Sequence, residues 1–78
     1  MIGLVVAVYG SSLAANMAIS DLEVARVPSA VIRHEVRDRL TNPGDRLVAV
    51  TVDDRHASAV AEVLNLQSPV NLVEAPLG

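Results

Sequence analysis

The sequence predicts a small α+β domain with the element order β-α-β-β-α-β, in which two helices cover one face of a four-stranded antiparallel sheet. Three observations support this prediction. Two segments, Ile2–Tyr9 and 46–52, are apolar on both faces of a strand. Each is followed by helical periodicity and then by a shorter strand pattern. The halves also resemble one another, with Val6-Ala7-Val8 aligned on Val48-Ala49-Val50.

The first half reads as a strand followed by an amphipathic helix. The strand Ile2–Tyr9 ends at Gly10, and Ser11 or Ser12 can cap the following helix by accepting a hydrogen bond from its first turn. The helix closes at Val27-Pro28, because the residue before proline is pushed out of the α region. Its apolar residues are predicted to lie on or beside one stripe: Leu13, Ala14, Met17, Ala18, Leu22, Val24 and Ala25.

Residues 30–39 fit two patterns. A strand separates two sets of side chains, Ile32, His34 and Val36 on one face against Arg33, Glu35, Arg37 and Arg39 on the other. A helix instead groups Ile32, Val36 and Leu40 at a spacing of four. We favour the strand, because the following Thr-Asn-Pro-Gly-Asp suits a hairpin connection with Gly44 at positive φ.

The second half repeats the strand and helix pattern. Residues 46–52 form the second strand that is apolar on both faces, and Asp53-Asp54 offers a carboxylate cap. A helix is predicted over 55–66, a break over 67–69, a last strand over 70–74 and a frayed tail over 75–78. The buried side of this helix is predicted to consist of Ala57, Val60, Ala61, Val63 and Leu64.

This order is that of a ferredoxin-like plait spanning residues 1–78 as one domain, with the first and third strands in the centre of the sheet. Those are the two strands that are apolar on both faces. Two helices cover one face only, so the other face would be open and apolar, and we predict that a homodimer covers it. That face would be lined by Val5, Ala7, Tyr9, Val48, Val50 and Val52 or by their alternates.

Composition excludes several classes of function. The 78 residues carry six Lys+Arg, all of them Arg, against nine acids, a net charge of −3, which gives no electrostatic footprint for nucleic acid or an anionic membrane. The chain has one aromatic residue and no cysteine, so base stacking, disulfides and zinc–thiolate sites are not expected. The apolar run Ile2–Tyr9 is about half of the ~20 residues that span a bilayer. We therefore predict a cytoplasmic protein without membrane insertion, nucleic-acid partner or cofactor.

The chain also resembles a known domain. The segment VVAVYGSSLAANMAISDLEVARVPSAVI and the closing RLVAVTVDDRHASAVAEVLNLQSPVNLVE are similar to the small domain of heat-induced, general-stress-type bacterial proteins. Shared features are a Val-x-Val-Tyr strand, a Leu-Glu-x-Ala-x-Val-Pro helix end and a Val-x-Val-Asp-Asp step into the second helix. The resemblance implies a ferredoxin-like fold and a role in the stress response, and it supplies no catalytic residues.

Four residues are candidates for ligand binding. His34 and Tyr9 would be the polar groups of a cavity between two sheet faces, although a partly buried structural histidine is the more common case. Arg33 and Arg37 could contact a phosphate-bearing partner, although charges on an edge strand more often block edge-to-edge pairing.

A metal site is a weak possibility at the second helix. His56 lies close in sequence to Asp53 and Asp54, but both carboxylates already have a sufficient role as helix caps. We expect no metal and no catalytic residue.

The sequence thus predicts a non-enzymatic stress-response or regulatory interaction module that self-associates through its apolar sheet face and has a possible protein partner. The alternative is a small-molecule sensor or enzyme of the dimeric α+β barrel type, with a cavity near His34.

Overall fold

A computed structural model describes residues 1–35 and 45–76, and within them the order β-α-β-β-α-β is confirmed. The preferred strand in 30–39 is present over Val31–Glu35. Val36, Arg37, Arg39, Leu40 and the predicted turn through Gly44 lie outside the described residues. The elements are β1 (Ile2–Tyr9), α1 (Ser12–Ala25), β2 (Val31–Glu35), β3 (Arg46–Asp53), a short 3₁₀ turn (Asp54–His56), α2 (Ala57–Asn65) and β4 (Asn71–Pro76).

The four strands form one antiparallel sheet in the order β2-β3-β1-β4. The two strands that are apolar on both faces therefore occupy the centre, as the sequence predicts. In the register of β1 and β3, Val5 lies opposite Val50 and Ala7 lies opposite Val48. Together with two helices, this topology is a ferredoxin-like α+β fold.

The alternation along β1 and β3 decides which side chains form the core. The helices pack on the face that carries Val5, Ala7, Tyr9, Val48, Val50 and Val52, and each of these is at most 1% exposed. The sequence left open which alternating set faces the helices, and the structure assigns the other set to the open face. The helices contribute Ala15, Ala18, Leu22, Val60, Ala61 and Leu64 to the same core.

The predicted single stripe on α1 is wrong in part. Ala18 and Leu22 are buried, but Leu13, Met17 and Val24 are 68%, 45% and 80% exposed. At 3.6 residues per turn these three lie together on the side of the helix opposite Ala18 and Leu22. The side that meets the sheet is rich in alanine, which lets the helix approach closely, so α1 has a second apolar side that faces outward.

Side-chain caps set the start of both helical segments. The Oγ of Ser11 accepts a hydrogen bond from the backbone N–H of Ala14 at 3.2 Å, as predicted for this cap. After β3, the Oδ1 of Asp53 accepts from the N–H of Arg55 at 3.3 Å and begins the 3₁₀ turn. The predicted helix over 55–66 is therefore α-helical only from Ala57 to Asn65.

We expect Ser11→Ala to lower the free energy of unfolding by about 1 kcal/mol, because it leaves an N–H of the first turn without its side-chain acceptor. Urea denaturation measures this loss. Ser12→Ala is the matched control: Ser12 is exposed and already helical, so its replacement should change stability by less than about 0.5 kcal/mol. Equal losses in the two variants would contradict the assignment of the cap.

Candidate functional site: the open sheet face

The sheet face opposite the helices is lined mainly by aliphatic side chains. Val6 lies near its centre, directly opposite Ala49 on β3 and Val73 on β4. Because facing residues in a ladder point to the same side, the register assigns the surrounding side chains to this face. They are Ile2, Leu4, Val8, Val31, Leu47, Thr51 and Ala75, with the polar Asp53 and Asn71 at the two ends of the face.

These side chains are shielded only by their neighbours in the sheet. Leu4, Val6 and Val8 on the central strand are half-buried, whereas Ile2, Val31 and Val73 are 52%, 59% and 51% exposed. No element within the described residues packs over this face. A contiguous apolar surface of this kind is typical of an interaction site.

Charged side chains lie along the β2 edge of the open face. Arg33 and Glu35 lie opposite Ala49 and Leu47 and so project from the same side of the sheet. The Arg33 guanidinium contacts the Glu35 carboxylate at 3.1 Å. An exposed pair of this kind contributes little to stability, but it discourages pairing with another strand at this edge. Arg37 and Arg39, which with Arg33 would form the cationic ladder considered for a phosphate-bearing partner, lie outside the described residues.

A groove of about 340 Å³ opens at the end of the sheet where β1 begins. Its polar side chains are Ser29, Thr51 and Asp53, set beside Ile2 and Val31. Asp53 is held by Arg55, whose Nε lies 3.3 Å from its Oδ2. The backbone hydrogen bond from Arg55 is the main reason that the pKa of Asp53 is lowered, so this carboxylate is ionised at neutral pH.

Tyr9 lies on the opposite side of the sheet, in the core. Its hydroxyl donates a hydrogen bond of 2.6 Å to the backbone carbonyl of Leu64, which joins the end of β1 to α2. Burial, with a smaller contribution from the Asp21 carboxylate, raises the pKa of Tyr9 to about 12. The Tyr9 hydroxyl therefore has a structural role in the core. A ligand on the open face would have to contact a different polar side chain.

His34 also lies on the helix side of the sheet. It is opposite Val48, a core residue, and its own side chain is exposed. The prediction that His34 shares a face with Ile32 is confirmed, since Ile32 is opposite Val50. Neither His34 nor Tyr9 is on the open face, so the expected cavity between two such faces would not include them.

The residues proposed as weak metal ligands have other roles in the structure. Asp53 accepts the hydrogen bond that starts the 3₁₀ turn, and His56 is the last residue of that turn. Within residues 1–35 and 45–76, no three His, Cys, Asp or Glu side chains come together in a way that could hold a metal ion.

The groove residues Ser29 and Thr51 were not identified from the sequence. Ser29 stands in a loop with φ of 64°, a left-handed conformation that an isolated serine does not reveal. Thr51 is one polar residue in an apolar strand, and its alternation could have placed it on the open face once the core set was known.

The burial of the Tyr9 hydroxyl leads to a prediction about the pH at which it ionises. Tyr9 is the only tyrosine and the chain contains no tryptophan, so the ultraviolet absorbance of tyrosinate reports this group alone. We expect its absorbance in the folded protein to titrate near pH 12 instead of pH 10.

The sign of the effect on stability follows from this shift. The folded state retains the Tyr9 proton where the unfolded state has lost it, so stability should fall as the pH rises from about 10 to about 12. Tyr9→Phe should lack this fall and should cost about 1–3 kcal/mol at neutral pH, because it leaves the Leu64 carbonyl without its partner. A tyrosinate titration at the ordinary pH would show that the hydroxyl is not buried.

None of the helices in the described parts of the chain is both long and apolar enough to cross a membrane. No protein-family model matches the chain, and no curated protein is detectably similar to it. The candidate site is therefore defined by the geometry of the open face alone.

Proposed function

We propose that the protein is a non-enzymatic interaction module that self-associates by packing the open faces of two copies against each other. The observation that carries this proposal is the aliphatic surface around Val6, which no described element covers. Its neighbours across the strands, Ala49 and Val73, are also aliphatic and carry no charge.

The size of the face suits a dimer. The central strands have eight residues each and the edge strands have five and six, so at about 3.3 Å per residue and about 4.8 Å between strands the face covers about 430 Å² in projection. The accessible area of ridged side chains exceeds this projection. Two copies packed on this face would therefore form an interface at the small end of the range for specific complexes, which bury about 1,200–2,000 Å² in total. Two sheets packed face to face would be separated by about 10 Å, with side chains such as Leu4 and Val8 interdigitating.

The charged residues of the β2 edge would lie at the periphery of this interface. Arg33 and Glu35 can stay hydrated at the periphery while the apolar centre is buried, since both lie on the edge strand β2. A module of this kind would act by assembly, and the stress or regulatory role that we propose rests on the resemblance to the small domain of general-stress proteins. A different protein with a similar apolar sheet face could also be its partner.

Sedimentation velocity across micromolar concentrations tests the proposal. The wild-type chain should show a concentration-dependent dimer. Val6→Arg and Val73→Arg should each raise the dissociation constant about tenfold or more, because a charge would be buried in an apolar interface. Val24→Arg is the matched control, because Val24 is 80% exposed on α1, away from the open face, and this variant should dimerise normally.

Circular dichroism and urea denaturation of each variant separate loss of association from loss of folding. Val73 is already half exposed, so Val73→Arg should retain the native spectrum. A wild-type chain that stays monomeric over this range, or Val6→Arg and Val73→Arg variants that are folded and still dimerise, would overturn the proposal.

The groove of about 340 Å³ supports a second candidate, a small-molecule sensor or enzyme of the dimeric α+β barrel type. A second copy seated on the open face would enclose the groove, with Thr51 and Asp53 as polar groups in it. The structure of the dimer distinguishes the two functions: a dry, packed interface supports the interaction module, whereas an open polar cavity supports ligand binding. The sequence instead predicts a cavity beside His34. His34→Ala tests that location, and an unchanged ligand affinity would exclude it.

A further inference from the structure

The two edges of the sheet differ in chemistry. The β2 edge carries the Arg33–Glu35 ion pair, a common protection against pairing with another strand. At the other edge, β4 pairs with β1 and, among the described residues, with no further strand. An edge strand presents unpaired N–H and C=O groups at alternate positions, which is what a bound extended peptide uses.

A groove of about 320 Å³ lies alongside this edge, between β4 and α2. The helix lines it with one face, at spacings of three, four and seven residues, and all of these positions except Glu62 carry short side chains. Its lining residues are Ser58, Ala61, Glu62, Asn65, Leu72 and Glu74. Leu72 and Ala61 give the groove an apolar floor, and Ser58 and Asn65 leave room above it.

The charge in this groove has one sign. Glu62 and Glu74 both line it and both are exposed, and none of the basic residues that the structure describes lines it. In the described parts of the chain neither carboxylate takes part in an ion pair or a side-chain hydrogen bond. The groove therefore complements a positively charged partner.

We propose that the β4 edge and this groove bind an extended, basic segment of another protein, which adds to the sheet as a fifth strand. Glu74 and Leu72 point to the helix side, since they lie opposite the core residues Val5 and Ala7. In an antiparallel fifth strand, the residue facing Glu74 comes two positions before the residue facing Leu72. The segment should therefore carry Arg or Lys, then any residue, then an aliphatic residue.

This inference goes beyond the proposed function and does not depend on it. The strand would add in the plane of the sheet, whereas self-association would use the open face. A monomer and a dimer would both present the β4 edge, so a failure of either proposal leaves the other to be judged on its own experiment.

The probe is the peptide acetyl-Thr-Thr-Arg-Thr-Val-Thr-Thr-amide, titrated into the ¹⁵N-labelled full chain and followed by NMR chemical shifts. Shifts should concentrate in β4 and α2 and saturate. A peptide with Glu in place of Arg should bind about threefold to tenfold more weakly, because it places like charges at Glu74. An absence of shifts at millimolar peptide, or shifts elsewhere on the chain, would overturn the proposal.

Backbone pairing is tested with two N-methylated peptides, one methylated at Arg and Val and the other at the three Thr residues next to them. Alternate N–H groups of an added strand face the sheet, so one set should abolish binding and the other should leave most of it. Equal binding by the two peptides would exclude strand addition.

A charge swap tests the groove. Glu74→Arg should lower the affinity for the Arg peptide by about threefold or more and should raise the affinity for the Glu peptide. Glu23→Arg, at an exposed position on α1 outside the groove, makes the same charge change and should alter neither affinity. If Glu74→Arg perturbs the spectrum of the free protein, Glu62→Gln provides the second test, with the same direction of change for the Arg peptide. Equal effects of Glu74→Arg and Glu23→Arg would show that the peptide is held by non-specific electrostatic attraction, and this would overturn the proposal.

Discussion

The structure depends on a mismatch between the number of helices and the number of apolar sheet faces. A central strand such as β1 has aliphatic side chains on both sides, but two helices can cover only one side of a four-stranded sheet. The helix side is closed by Val5, Ala7 and Tyr9 against α1 and α2. The side around Val6 is left to solvent or to a partner. Alternate residues of β1 thus belong to the core and to the candidate interface.

Much of this arrangement could be predicted, because it depends on periodicity. The position of β1, the capping role of Ser11 and the central place of the two apolar strands follow from patterns within short stretches of sequence. The identity of the buried set does not, since Val5 and Val6 are chemically equivalent in isolation. Their distinction comes from where the helices pack, which is a long-range property.

The internal repeat shows the same limit. An alignment of Val6-Ala7-Val8 on Val48-Ala49-Val50 matches three identical residues in a row, yet Val6 is on the open face and Val48 is in the core. Leu22 and Leu64, aligned by the same offset, are both buried in their helices. The two halves are therefore related by a slip of one residue between strand and helix. A run of identical residues does not show which face of the sheet they occupy, and a slip of one residue reverses the face of every residue in the strand.

The hydrogen bond from Tyr9 to Leu64 joins residues that are 55 positions apart. A contact of such long range forms only after much of the chain has been ordered, since its loop-closure entropy must be offset by other contacts. Tyr9 is also the only aromatic residue of the protein. Its intrinsic fluorescence therefore reports the closing of the second half of the fold onto the first, with no competing signal from any other part of the chain.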